Sequence, residues 1–115
     1  MEAACRGAKR GGGTTVGILP GSQRREANAF VDIALPTGLA EGRNALVVRA
    51  ADAVIAVAGA YGTLSEIALA LRAGTPVVGL HTWELSREGR PDRSIVRART
   101  PQEAVERALA AAARR

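Results

Sequence analysis

The 115-residue chain has one cysteine, one histidine and one lysine, and aromatic residues make up only 3% of it. A single cysteine, Cys5, cannot close an internal disulfide, which fits a reducing, cytoplasmic compartment. A nucleophilic role for Cys5 lacks a histidine nearby in sequence, since the only one is His81; a small residue on a helix face is the plainer reading. The longest apolar run, residues 53 to 58, is far too short to span a bilayer. Charge from Glu2 onward leaves no room for the apolar stretch of a signal peptide. With so few aromatics there is no stacking platform for single strands, which argues against nucleic acid as the main partner. The residue types and spacing of a metal site are also missing, and no cofactor is expected.

What the chain does have is small aliphatic residues and arginine. Hydrophobic residues make up 47%, enough for one core of Ala, Val, Leu and Ile, and the length suits a single domain over 1–115. The net charge is +5, and Lys9 is the only positive side chain besides arginine and His81. Arginine's planar fork suits phosphate, although scattered arginines are commonly just solvated surface.

Local patterns give an element order. Glu2 to Arg10 reads as a helix stopped by three glycines. Thr14 to Leu19 reads as a buried strand, Ser22 to Ala29 as loop, and Phe30 to Leu35 as a short extended segment. Glu41 to Ala51 is helical. Ala53 to Ala58 is a continuous apolar run, the pattern of a central parallel strand. A helix is expected from Thr63 to Ala73, then a strand from Pro76 to Leu80, a loop from His81 to Pro91, and a weaker strand from Ser94 to Ala98. Thr100 to Arg114 closes the chain as a helix, with Thr100 and Glu103 as a capping box and Pro101 in the first turn. Alternating elements of this kind predict an α/β fold, a Rossmann-like parallel sheet with helices on both faces.

One segment carries chemistry. Residues 53 to 71 read strand, Gly-containing turn, helix. Helix N-termini offer free amides and partial positive charge, and glycines let an anion approach the backbone. Gly59, Ala60, Tyr61, Gly62 and Thr63 are therefore the candidate phosphate cradle. Glu66 has two readings: the acid of a capping box with Thr63, or a carboxylate acting on the ligand. Ser22, Arg24 and Arg25 read as solvated loop rather than ligand contacts, and His81 and Trp83 as a packed edge or oligomer contact rather than the wall of a base pocket.

The run Gly59-Ala60-Tyr61-Gly62-Thr63-Leu64-Ser65-Glu66 resembles the Pro-Gly-Gly-x-Gly-Thr-x-x-Glu motif of the LONELY GUY (LOG) family, cytokinin-activating phosphoribohydrolases. Arg43 matches the arginine of that family's preceding helix. The stretch Arg43 to Val47 and the Gly-Ala-Tyr-Gly-Thr-Leu-Ser-Glu run are closer to a bacterial Rossmann-like branch that includes molybdenum cofactor carrier proteins. Ala58 and Ala60 replace the motif's first proline and third-position glycine, and Asn44 replaces a lysine, departures that bear on hydrolysis more than on nucleotide binding.

The resemblance implies a homodimer that binds a nucleoside monophosphate or a related phosphate-bearing small molecule. As an enzyme it would hydrolyse the N-glycosidic bond to free base and ribose 5-phosphate, with Arg43 and Glu66 as catalytic residues. The alternative is a non-catalytic nucleotide or molybdenum cofactor carrier, and a second alternative is a DNA-processing-related single-strand binder. Relatives begin with a strand, a helix and a further strand, whereas Met1 falls where their second helix begins. The resemblance thus implies that the N-terminal strand–helix–strand is lacking, and that the chain alone folds poorly or is an obligate oligomer.

Overall fold

The computed structural model describes residues 1–114. It comprises two compact units, Met1–Leu46 and Val47–Arg115.

In the first unit, helix α1 (Glu2–Arg10) is followed by strands β1 (Val16–Leu19) and β2 (Ile33–Pro36), which pair in parallel with Val16 opposite Ile33. Thr15 and Asp32 lock the start of this ladder. The Thr15 amide donates to the Asp32 carboxylate at 2.9 Å, and the Asp32 amide donates to the Thr15 hydroxyl at 2.8 Å. Lys9 adds an ion pair to Asp32 at 2.8 Å. The Lys9 hydrogen bond, followed by that from Thr15, holds the Asp32 carboxyl below its ordinary range. The segment expected to be loop from Ser22 contains a short 3-10 turn, Arg24–Glu26. A second turn, Ala40–Gly42, leads into helix α2 (Arg43–Arg49).

The second unit is a three-stranded parallel sheet in the order β3 (Val54–Val57), β4 (Val77–Leu80), β7 (Val96–Ala98). Helix α3 (Tyr61–Ala73) connects β3 to β4, and helix α4 (Pro101–Ala113) follows β7. All four residues of β4 are buried. Val48, Ala56, Ile67, Ala70, Val77 and Ile95 form one core cluster; Val78, Ala98, Ala104 and Ala108 form another. Side chains this small let α4 lie close on the sheet. The expected capping box appears in part: the Thr100 hydroxyl accepts from the Glu103 amide at 3.1 Å, while the Glu103 carboxylate turns to Arg107 at 2.9 Å.

Two expectations need correcting. Within its three-stranded sheet the apolar run at residues 53–58 is an edge strand rather than a central one: among the described residues β3 pairs only with β4, and Val57 is 57% exposed. An apolar run signals burial, but the number of ladder neighbours decides which strand is central. The stretch from His81 to Pro91 is not all loop. It contains an antiparallel hairpin, β5 (Leu85–Arg87) and β6 (Arg90–Asp92), turned at Glu88 and Gly89 with φ of 50° and 77°. Two consecutive positive φ values suit the twist of a tight hairpin. No helix among the described residues is long and apolar enough to cross a membrane.

Candidate functional site

At its carboxyl end β3 leaves the sheet through a sharp bend. Ala58 and Gly59 both have positive φ, 47° and 90°. A side chain on Gly59 would overlap the side chain of Thr63, so glycine is needed for space as well as conformation. Gly62 differs: its φ is not positive, and a Cβ there meets open space. Gly62 is thus not needed for its conformational freedom.

Helix α3 starts at Tyr61, two residues earlier than expected, with Ala60 at its N-cap and no side-chain cap. This removes the capping-box reading of Thr63 and Glu66, which lie inside the helix. Its first bond outside the regular ladder runs from the Leu64 amide to the Ala60 carbonyl at 3.1 Å. Among the described residues the amides of Tyr61, Gly62 and Thr63 have no acceptor, and Tyr61 and Gly62 are exposed. A bare, uncapped helix start in water attracts anions. Glu66 follows Thr63 by three residues on the same face of α3 and is half-buried.

The bend is fastened from the next connection, through two residues whose role sequence reasoning missed. The Thr82 hydroxyl donates to the Ala58 carbonyl at 2.6 Å, and the Trp83 indole Nε1 donates to the Ala60 carbonyl at 3.0 Å. The Ala58 amide bonds to the Leu80 carbonyl at 3.0 Å. The Trp83 and Tyr61 rings lie 5.7 Å apart at 36°. Two carbonyls of the bend are thus tied by side chains of the following connection, which restrains the backbone that carries the free amides. The residues concerned are more than 20 positions apart, so no local pattern announces them; the only sequence sign was that Thr82 and Trp83 follow the end of a strand.

Arg43 lies in the first unit, at the start of α2. Its Nη1 donates to the Ile18 carbonyl at 2.9 Å near the carboxyl end of β1, and the side chain is half-buried. Ser22, Arg24 and Arg25 stay on or near the surface. Cys5 is half-buried, with the Asn28 side-chain amide 3.9 Å from its sulfur. No group of three or more His, Cys, Asp or Glu side chains among the described residues is placed to hold a metal ion.

An α/β chain with parallel strands flanked by helices and a glycine bend between β3 and α3 is Rossmann-like, and the comparisons define its class more closely. The SLOG cluster4 family model matches residues 1–105, and the chain belongs to that family. An uncharacterized protein of Archaeoglobus fulgidus is 46% identical over 80 residues, which is 70% of this chain and about half, 52%, of that protein. Two solved structures are similar. The molybdenum cofactor binding protein of the phototrophic bacterium Rippkaea orientalis has a TM-score of 0.81 and 34% identity, covering 96% of this chain and 69% of its own. The molybdenum cofactor carrier protein of Chlamydomonas reinhardtii has a TM-score of 0.72 and 32% identity, covering 96% and 70%.

Proposed function

We propose that this protein is a binding and carrier module for a phosphate-bearing heteroaromatic small molecule, with the molybdenum cofactor as its cargo. The observation that carries this reading is the uncapped start of α3. Three amides without acceptors follow a bend that requires Gly59, and the bend is braced by Thr82 and Trp83. Such an arrangement fits a phosphate: it supplies donors and partial positive charge and needs no reorganisation on binding. Cofactor-binding proteins as structural neighbours support the carrier reading over the phosphoribohydrolase reading that the LOG motif first suggests. Ala58 and Ala60, where that motif has proline and glycine, weigh the same way.

In this proposal Gly59, Ala60, Tyr61, Gly62 and Thr63 hold the phosphate. Arg43 is a ligand contact proposed from the motif, and Glu66 is a polar neighbour of the cradle rather than a catalyst. The cargo's own metal and ring system provide its redox chemistry when bound, and the protein contributes binding, orientation and shielding.

The test is to load the purified protein anaerobically with cofactor released from a molybdoenzyme, remove excess, and measure bound molybdenum and pterin. Near-stoichiometric retention, with no free adenine released from AMP in a parallel incubation, is expected. Steady adenine release that is lost in Glu66→Gln would replace the carrier reading with hydrolysis. An Arg43→Ala variant that retains cofactor as well as the parent would remove Arg43 from the site.

A further inference from the structure

A cavity opens in the unit Val47–Arg115, at the carboxyl ends of β4 and β7, and no residue of the Gly59–Thr63 bend lines it. Its volume is about 730 Å³, within the range of small-molecule sites. Carboxyl ends of parallel strands are where ligands bind in open α/β sheets.

Its floor is made of small or apolar residues, Gly79, Ile95 and Ala98. A Cβ on Gly79 would come within 2.8 Å of both Ile95 and Thr82, so any larger residue would push its neighbours out of place. One wall is the Trp83 ring. The charged lining is Arg97 on β7, Arg99 just beyond it and Arg107 on α4, together with the carboxylates of Glu84 and Glu103.

The charges do not cancel. Glu84 pairs with Arg97, and Glu103 pairs with Arg107 at 2.9 Å. Arg99 has no carboxylate partner among the described residues, which leaves three guanidinium groups against two carboxylates. The two pairs are substantially exposed, and pairs of that kind add little to stability, so fold stability does not account for the cluster. They do hold two of the forks at the pocket wall. At the rim, His81 has a φ of 51°, a left-handed conformation that a non-glycine residue adopts at some cost and that gathers at ligand sites.

We propose that this pocket is a second ligand site, separate from the α3 cradle, for a phosphomonoester carrying a flat heteroaromatic ring, of the nucleoside monophosphate class. Arg99 and Arg107 take the phosphate through their planar forks, and the ring lies against Trp83. A bare inorganic anion would use only part of the volume and none of the aromatic wall. A polynucleotide is not the occupant, because the chain has one tryptophan and no row of stacking rings. Thr82 and Trp83 both line the pocket and brace the α3 bend, so occupancy here bears on the same two carbonyl ties.

Trp83 is the sole tryptophan and serves as the reporter. The experiment titrates the full chain with AMP and with inorganic phosphate while following its fluorescence. The background is Gly62→Asp, where open space admits the new side chain and its charge repels anions from the α3 cradle. Failure of the cradle reading therefore leaves this test intact. The expected result is a saturable response to AMP in that background, weakened about tenfold or more by Arg99→Gln and further by adding Arg107→Gln. Both arginines are exposed, and circular dichroism checks that the variants stay folded. AMP is expected to bind at least about tenfold more tightly than inorganic phosphate, from the stacking of one ring. No saturable response in Gly62→Asp, or an AMP affinity unchanged by Arg99→Gln, would overturn the site. Equal affinity for AMP and phosphate would overturn the ligand class.

Discussion

Two glycines three residues apart should respond in opposite directions to the same methyl group. At Gly59 the backbone has a φ of 90°, and a Cβ overlaps the Thr63 side chain. Left-handed backbone costs an L-residue roughly 1–2 kcal/mol. Forcing a neighbour aside in a packed turn costs about 1–3 kcal/mol more. Gly59→Ala should therefore lose about 2–5 kcal/mol. At Gly62 the backbone is helical and the space is open. There alanine gains up to about 1 kcal/mol from lower unfolded-state entropy, and roughly half of that so near a helix end. A kcal/mol moves the melting temperature of a chain this size by roughly 3–6 °C. Gly59→Ala should fall by about 6 °C or more, while Gly62→Ala holds or rises by a few degrees. Thermal unfolding by circular dichroism at one fixed pH and concentration makes the comparison. A Gly59→Ala variant as stable as the parent, or a Gly62→Ala variant that melts well below it, would refute the geometry assigned to the bend.

Thr82→Val and Trp83→Phe each remove one tie to a loop carbonyl, and each should cost about 1 kcal/mol of stability. Both should also weaken phosphate binding several-fold, measured by calorimetric titration, because the amides lose their bracing. Thr100→Ala deletes the hydroxyl that caps α4 and should cost about 1 kcal/mol in urea unfolding, with phosphate binding at the α3 cradle unchanged. Asp32 has a carboxyl pKa lowered by Lys9 and Thr15, so its contribution is present above the ordinary aspartate range. That contribution is lost as pH falls through the lowered folded-state value. Stability measured from pH 6 down to about 2 should decline less steeply in Asp32→Asn than in the parent, and equal slopes would contradict the Lys9–Asp32–Thr15 account.

The parts of the fold that depend on near neighbours were legible in the chain. Thr100, Pro101 and Glu103 announce the start of α4, and the glycine run after Arg10 ends α1. The β3–bend–α3 unit was legible as well, because an apolar run followed by glycines has few other solutions. Other features were not, for separate physical reasons. The Glu88–Gly89 turn joins short strands rich in charge, which carry no apolar alternation to mark them. The true start of α3 is set by Ala60, whose side chain caps nothing, while Thr63 and Glu66 imitate a capping box one turn too late. The rank of β3 as an edge strand and the bracing by Thr82 and Trp83 rest on contacts distant in sequence, which periodicity does not reach. Of the candidate site residues, Gly59 to Thr63 run from the bend into the first turn of α3, Glu66 follows one turn on, and Arg43 lies in the other unit.

The most direct measurement is a ¹⁵N-resolved NMR titration of the full chain with inorganic phosphate, following the backbone amides from Gly59 to Thr63. The account predicts saturable shifts at Tyr61, Gly62 and Thr63, and the loss of those at Tyr61 and Thr63 in Gly62→Asp although that variant stays folded. Those three resonances remaining fixed in the parent while others move, or Tyr61 and Thr63 moving equally in Gly62→Asp, would contradict it.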